Sequence, residues 1–334
     1  MEQTGGLGKR WPTRWDAAWW RRRRGCRWNG FVALGRLEIL VLRGGALGDF
    51  ILLLPMLSAL RRQIRPLHLE FWGTFPQAEL ARPELADTVT DLNSVSILPL
   101  FTPVDDFPRS LAERLGRVDL AVSYLFDPDR LIRRHLQKAG VRQIVQGPHR
   151  VENEPSHAVF QLAAPLGKLG LSLTDPVPKL PAVSQIPSLS RIAIHLGSGS
   201  ARKNWPAESW VHLAWEIEKL ASELIVVTGE ADRRLTTAFL ERFRSPKVKV
   251  CDSLPLPALA AELRRCRLFA GNDSGVTHLA AAVGTRTVAL FGPTDPAIWR
   301  PLGAHVTVVE SRNGTMQGIE FDEVLQAVRE SFEF

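Results

Sequence analysis

The stretch LFAGNDSGVTHLAAAVGTRTVALFGPTDP, residues 268–296, sets an Asn, an Asp, a Ser, a Thr and a His between two apolar runs. The first run, RLFAG, has the length and composition of a buried strand, and GVTHLAAAVG starts a helix. A strand that delivers polar residues to the start of a helix puts free amide groups and the positive end of a helix dipole at the sheet edge. That combination is an anion site. Gly275 is expected to clear room for a diphosphate there. Asp273, Ser274, Thr277 and His278 are candidates to line it, and the Ala-rich remainder of the helix can pack closely on its sheet.

Outward from this stretch the same rhythm recurs. The runs 37–43 (LEILVLR), 67–72, 94–98, 118–124 and 141–146 read as strands, with helices at 49–64 and near 156–169. Residues 172–190 contain Pro176, Pro178, Pro181 and Pro187, which deny them regular structure and mark a linker. A second series follows, with strands at 191–196, 223–228, 247–251, 267–271, 286–291 and 305–309. Its helices are placed at 208–221, 231–243, 257–265, 275–283 and 320–331. Strands alternating with helices predict mainly parallel sheets. The expected organisation is a basic tail (1–36), two doubly wound Rossmann-like α/β domains (37–171 and 191–334) and the linker between them. Both domains should offer the loops at their strand carboxyl ends to one central cleft.

Three further loops fall at such ends. In RGGALGDF, residues 43–50, Gly44, Gly45 and Gly48 permit a tight turn, and Asp49 stands at the helix start as an N-cap or a catalytic base. The glycine spacing fits neither the dinucleotide fingerprint nor a P-loop, which disfavours a dehydrogenase. HLGSGSARKNWP, residues 195–206, offers a Gly/Ser turn for phosphate oxygens, including Ser198, and an ammonium at Lys203. Glu230, after strand 223–228, is a candidate to accept ribose hydroxyls. The DPD at 127–129 superficially offers a metal site, but reads more simply as a turn with Asp129 capping the helix that follows.

Charge and cysteines bound the partners. The 334-residue chain carries a formal charge of +7, yet residues 1–36 hold nine Lys/Arg against Glu2 and Asp16, which matches the whole excess. An otherwise balanced body lacks the stripe that nucleic-acid binding needs. Cys26, Cys251 and Cys266 show neither zinc spacing nor an even disulfide count, which suits a reducing compartment. No apolar run is long enough to span a bilayer. Trp11, Trp15 and Trp19, with four arginines behind them, suggest that residues 10–28 make an amphipathic contact with an anionic membrane surface.

Together LRGGALGDFILLLPMLSALRR, HLGSGSARKNWPAESW, VVTGE and GNDSGVTHLAAAVGTRTVALFGPTDP resemble the motifs of glycosyltransferase family nine, the ADP-heptose:lipopolysaccharide heptosyltransferases, in family order from about residue 37 to 330. HAVFQLAAPLGKLGL, 157–171, also resembles the segment before the family's linker and brings in His157 without a defined role. The resemblance implies the two-Rossmann-domain GT-B architecture and an inverting transfer without metal or other cofactor. It implies a nucleotide-sugar donor, ADP-heptose, and a glycolipid or oligosaccharide acceptor of the lipopolysaccharide core. It makes Asp49 the general base, with Gly45 and Gly48 in the acceptor-side loop. Lys203 and the amides around Ser274–His278 would hold the leaving diphosphate, and Glu230 the ribose. The implied location is cytoplasmic, with peripheral contact at the inner face of the membrane. The competing reading is a catalytically inactive nucleotide-binding module of the same fold.

Overall fold

The computed structural model describes residues 36–103, 107–181 and 190–333, so the Trp/Arg segment at 10–28 lies outside the described residues. The chain runs β1 (Leu37–Arg43), α1 (Leu47–Gln63), β2 (Leu67–Gly73), β3 (Thr88–Asp91), α2 (Arg109–Gly116), β4 (Leu120–Ser123), α3 (Leu131–Lys138), β5 (Gln143–Gln146) and α4 (Ala158–Lys168). The second half continues β6 (Arg191–His195), α5 (Ala207–Ile217), β7 (Glu223–Thr228), α6 (Arg233–Arg242), β8 (Val248–Asp252), α7 (Leu256–Arg264) and β9 (Leu268–Asn272). It ends with α8 (Gly275–Ala282), β10 (Arg286–Phe291), α9 (Pro296–Trp299), β11 (Val306–Glu310) and α10 (Phe321–Glu333).

The first sheet has the order β3-β2-β1-β4-β5 and the second β11-β10-β9-β6-β7-β8, with every described pairing parallel. Both are Rossmann-like. Strand order reverses between β1 and β4 in one sheet and between β6 and β9 in the other, and crevices open at such reversals. The loops that leave β1, β6 and β9 are the ones marked in the sequence.

Two local expectations are overturned. Residues 94–98 are not a strand, because Val95–Phe101 form a 3-10 helix that Ser94 caps through the Ser96 amide and that contains Pro99. The strand is the preceding TVTD, whose end is turned by the Asp91 carboxylate as it accepts from the Asn93 amide at 3.1 Å. Nor does Asp129 cap α3. Asp127 does so from further back, accepting from the Ile132 and Arg133 amides at 3.1 and 2.9 Å, because Arg130 takes the left-handed conformation (φ 57°) and folds the turn over.

The domains are joined by apolar contact. One buried cluster runs from α1 (Ile51, Leu54, Leu57) to α8 (Leu279, Ala280, Ala282), with Leu47 and Val276 packed on its margin. α1 is buried on nearly all sides from Phe50 to Leu60, as a helix held between one sheet and the other domain must be. The segment after α4 runs across both. Gln63 binds the Ser172 backbone at both its N–H (3.2 Å) and C=O (2.7 Å), and the Leu180 amide donates to Ala282 O at 2.8 Å.

Candidate functional site

Arg43 ends β1, and its guanidinium is almost wholly buried. One amino group donates to the Pro148 and His149 carbonyls at 3.2 and 3.1 Å, and the other to Asp49 Oδ1 at 3.0 Å. Asp49 Oδ2 accepts from the Ala46 amide at 3.0 Å. Ala46 is therefore the N-cap of α1 and Asp49 its third helical residue, a placement that corrects the N-cap reading. The carboxylate keeps 34% of its side-chain surface exposed while both oxygens are oriented. Gly45 makes this possible. It sits at φ +126°, and a Cβ there would lie 2.8 Å from Asp49 Oδ2.

On the other domain, Ser274 caps α8 by accepting from the Thr277 amide at 3.3 Å. Thr277 itself is 0% exposed and donates its hydroxyl to Asn272 O at 2.5 Å. It shapes the turn and presents no group to a ligand. Asn272 ties the turn to the Gly/Ser loop, donating to Leu196 O at 2.8 Å and accepting from the Trp205 amide at 3.1 Å. Asp273 Oδ2 accepts from Lys203 Nζ at 3.0 Å and from Thr294 Oγ1 at 2.8 Å. Lys203 is thus held in place by a buried carboxylate rather than solvated in its loop.

Gly275 serves a purpose that the sequence did not show. A Cβ there would meet Leu47 Cβ at 2.8 Å and the Gly48 amide nitrogen at 3.1 Å, so the bare Cα is demanded by α1 of the opposite domain. Next to this contact lies His278, 4% exposed, with Nδ1 buried and without a hydrogen-bond partner. Burial, above all, pushes its pKa down to about 4. Asp273 and Asp49 pull in the opposite direction, while His157 and Lys203 reinforce the fall. Candidates from both domains, Asp49, Lys203 and Asp273, are thereby gathered around the His278 imidazole. His157 also crosses the domain boundary. Its Nδ1 accepts from the Val159 amide at 3.2 Å to cap α4, and Nε2 donates to Arg300 O at 2.8 Å, which fixes the tautomer. Burial holds this histidine below its ordinary pKa as well.

A cavity of about 350 Å³ opens beside this point, lined among others by Gly48, Ser198, Ser274 and Gly275. Its remaining wall was not legible in the sequence. His195, Thr228, Asp232, Cys251 and Ser253 line it together with Leu254, Leu256 and Leu259. The one signal for His195 is a polar residue closing an apolar strand, RIAIH, just before a Gly/Ser turn, and Arg43 closes LEILVLR in the same way. Glu230 is not brought to this cavity. It is exposed, and lines a separate surface depression with Arg233, Arg234 and Glu241. Among the described residues no group of three or more His, Cys, Asp or Glu is placed to hold a metal ion.

Two parallel Rossmann-like sheets that meet at a helix N-terminus and an opposed carboxylate define a GT-B fold. Solved structures agree. A family 9 glycosyl transferase from Veillonella parvula superposes with TM-score 0.74 at 21% identity, over 89% of this chain and 97% of that one. The Escherichia coli heptosyltransferase WaaC with ADP gives 0.69 at 16% identity, over 88% and 100%. The E. coli ADP-heptose lps heptosyltransferase II gives 0.70 at 17%, over 89% and 99%. The model of glycosyltransferase family 9 (heptosyltransferase) matches residues 132–328, and the chain belongs to that family. Among curated relatives, lipooligosaccharide heptosyltransferase 2 of Campylobacter jejuni (serotype O:2) is 33% identical over 99 residues, 29% of this chain and 31% of that protein. The aligned stretch thus spans about a third of that relative's length.

Proposed function

We propose that the chain is an inverting glycosyltransferase that moves a heptose from ADP-heptose to a lipopolysaccharide-core or related glycan acceptor. The observation that carries this reading is the convergence of Asp49, from one domain, with Lys203 and the start of α8, from the other, on the buried His278. Support also comes from the family match and from a neighbouring fold that was solved with ADP.

In this reading the diphosphate lies at the amides of Gly275 and Val276 that open α8, with Lys203 as its counter-charge. Burial keeps His278 neutral above about pH 4, so its ring adds no charge there and can donate one N–H. Asp49 keeps lone pairs beyond the two that Arg43 and Ala46 engage, and takes the proton of the acceptor hydroxyl as that oxygen attacks the anomeric carbon. The bond to the diphosphate breaks on the opposite face, and negative charge grows where the α8 amides and the ammonium are already aimed. Groups oriented before the reaction lower the barrier there, because little reorganisation remains to be done. No metal is required by this scheme.

The acceptor side is the loop from Gly45 to Gly48 and its surroundings in the first domain. The enzyme is proposed to work at the cytoplasmic face of the membrane. No helix among the described residues is long and apolar enough to cross a bilayer, and contact through residues 10–28 remains part of the proposal. Incubation with ADP-heptose and a panel of core glycolipids should release ADP only when a competent acceptor is present. Release of nucleotide from other sugar donors alone would overturn ADP-heptose as the donor, and binding of ADP with no transfer to any acceptor would favour the inactive nucleotide-binding module.

A further inference from the structure

The stretch YLFDPDRL, residues 124–131, leaves β4 at the sheet edge where its neighbours β1 and β5 also end. Its residues are anchored on both sides of Phe126. The Tyr124 hydroxyl donates to Leu162 O at 2.6 Å, and the Leu125 carbonyl accepts from Gln146 Nε2 at 3.0 Å. Asp127 is engaged in capping α3. Phe126 itself stays in water. It is 67% exposed, more than any other Phe, Tyr or Trp among the described residues. Its ring centre lies 4.9 Å from that of His149, with the planes 49° apart. His149 is fixed in turn. Its carbonyl accepts at 3.1 Å from the Arg43 guanidinium, whose other amino group holds Asp49 Oδ1 at 3.0 Å. Gly147 lets the two loops close on each other, because its amide donates to Ser123 O at 2.8 Å and a Cβ there would lie 2.5 Å from the Tyr124 ring.

We propose that Phe126 is a platform on which a pyranose ring of the acceptor stacks, beside the hydroxyl that Asp49 deprotonates. This rests on the glycosyl-transfer reading above and adds an acceptor subsite to it. A lone exposed apolar side chain on an outer face needs no explanation. This one stands at the carboxyl end of a parallel strand, where such sheets bind their ligands, and a single guanidinium separates its supporting loop from the proposed base. A pyranose presents C–H bonds on its faces, and their slight positive charge suits the negative face of an aromatic ring. Stacking also removes apolar surface of both partners from water. The donor is held from the second domain, at α8, so a sugar seated on the first domain is the acceptor's. Phe126 acts in this scheme on acceptor binding and takes no part in the proton transfer.

Steady-state kinetics of the full chain at saturating ADP-heptose test it. Two acceptors are compared, a core glycolipid that supports transfer and the lipid-free oligosaccharide obtained from it by removing the acyl chains. F126A should raise the KM for both acceptors about tenfold, with kcat and the donor KM within about twofold, the pattern of a lost binding contact. F126W should keep the KM near that of the wild type, and F126L should not, because leucine is apolar but has no π face. The side chain is exposed, so none of these changes threatens the fold. An acceptor KM unmoved by F126A overturns the assignment, as does F126L that matches the wild type. A loss confined to the intact glycolipid would make Phe126 a lipid contact and also overturns it. A fall in kcat at unchanged KM would place the effect on Asp49 and overturns the subsite. Wild-type protein that transfers sugar to no acceptor overturns the glycosyl-transfer reading, and this proposal with it.

Discussion

The turns after β1 and β9 are built from the same plan, a buried strand, a short polar turn and a helix that starts at the domain boundary, yet their electrostatics are opposite. α1 carries its own acid, Asp49, in its first turn, and that carboxylate occupies the positive end of the helix dipole. α8 has no acid in its first turn. It is capped by a neutral hydroxyl, and its nearest carboxylate, Asp273, precedes the helix and is engaged by Lys203 and Thr294. One helix start has filled its anion site with a side chain, and the other has left it for a ligand. The contrast supports the proposed division, with proton acceptance at the first turn and anion holding at the second.

The comparison can be broken most forcefully at Asp49. D49N should lower transfer about 10²- to 10⁴-fold, the range for loss of a positioned base, while ADP affinity stays within about twofold. An equal loss of ADP affinity, measured by calorimetry, would remove the distinction between the two turns. K203A should cost about 10²- to 10³-fold in turnover and also raise the donor KM, since the ammonium belongs to the anion-holding side. Steady-state kinetics in which both turnover and the donor KM are untouched would remove Lys203 from the anion-holding side.

The buried imidazole sharpens the comparison through pH. Its folded pKa of about 4 lies below the ordinary 6.5, so folding favours the neutral ring. The associated stability is fully present above pH 6.5 and is lost as pH falls toward 4. Its size is about 3 kcal/mol at most, at about 1.4 kcal/mol per pKa unit. Urea unfolding of wild type and H278N at pH 7 and pH 4.5 should show a steeper acid loss for the wild type. Parallel profiles would mean that the ring is solvated in the native state. Smallest of the four, G275A should destabilise by roughly 1–2 kcal/mol through overlap with Leu47 and the Gly48 amide, read as a lowered Tm. An unchanged Tm would show that the two turns do not touch as tightly as the geometry requires.

The α/β alternation was legible because each strand is a short apolar run and each helix follows a turn that Gly, Ser or Asp can make. Where the pattern misled, a competing local force prevailed. ILP at 97–99 reads as strand until Pro99 and the Ser94 cap close it into a 3-10 helix. The cap of α3 comes from Asp127 rather than Asp129 because Arg130 folds back on itself, a left-handed turn that residue type does not announce. Asp49, Lys203, Asp273 and His278 were picked out because charged or polar side chains in the turns and helix starts that follow strands are conspicuous among apolar neighbours. Arg43, His195 and Asp232 occupy the same kind of position and were passed over, since nothing local tells a brace from an end residue.

The chain's own order of residues determined the two parallel sheets, the anion-ready start of α8 and the identity of the four groups that meet there. Periodicity and turn chemistry act over a few residues, and so can be read one segment at a time. Only the packed molecule decided that Gly275 is bare for Leu47 and Gly48, that Thr277 is turned inward, that His278 is neutral, and that Asp232 rather than Glu230 faces the cavity. Each of those depends on atoms far away in sequence, where close contact, lost water and opposing charges act through space.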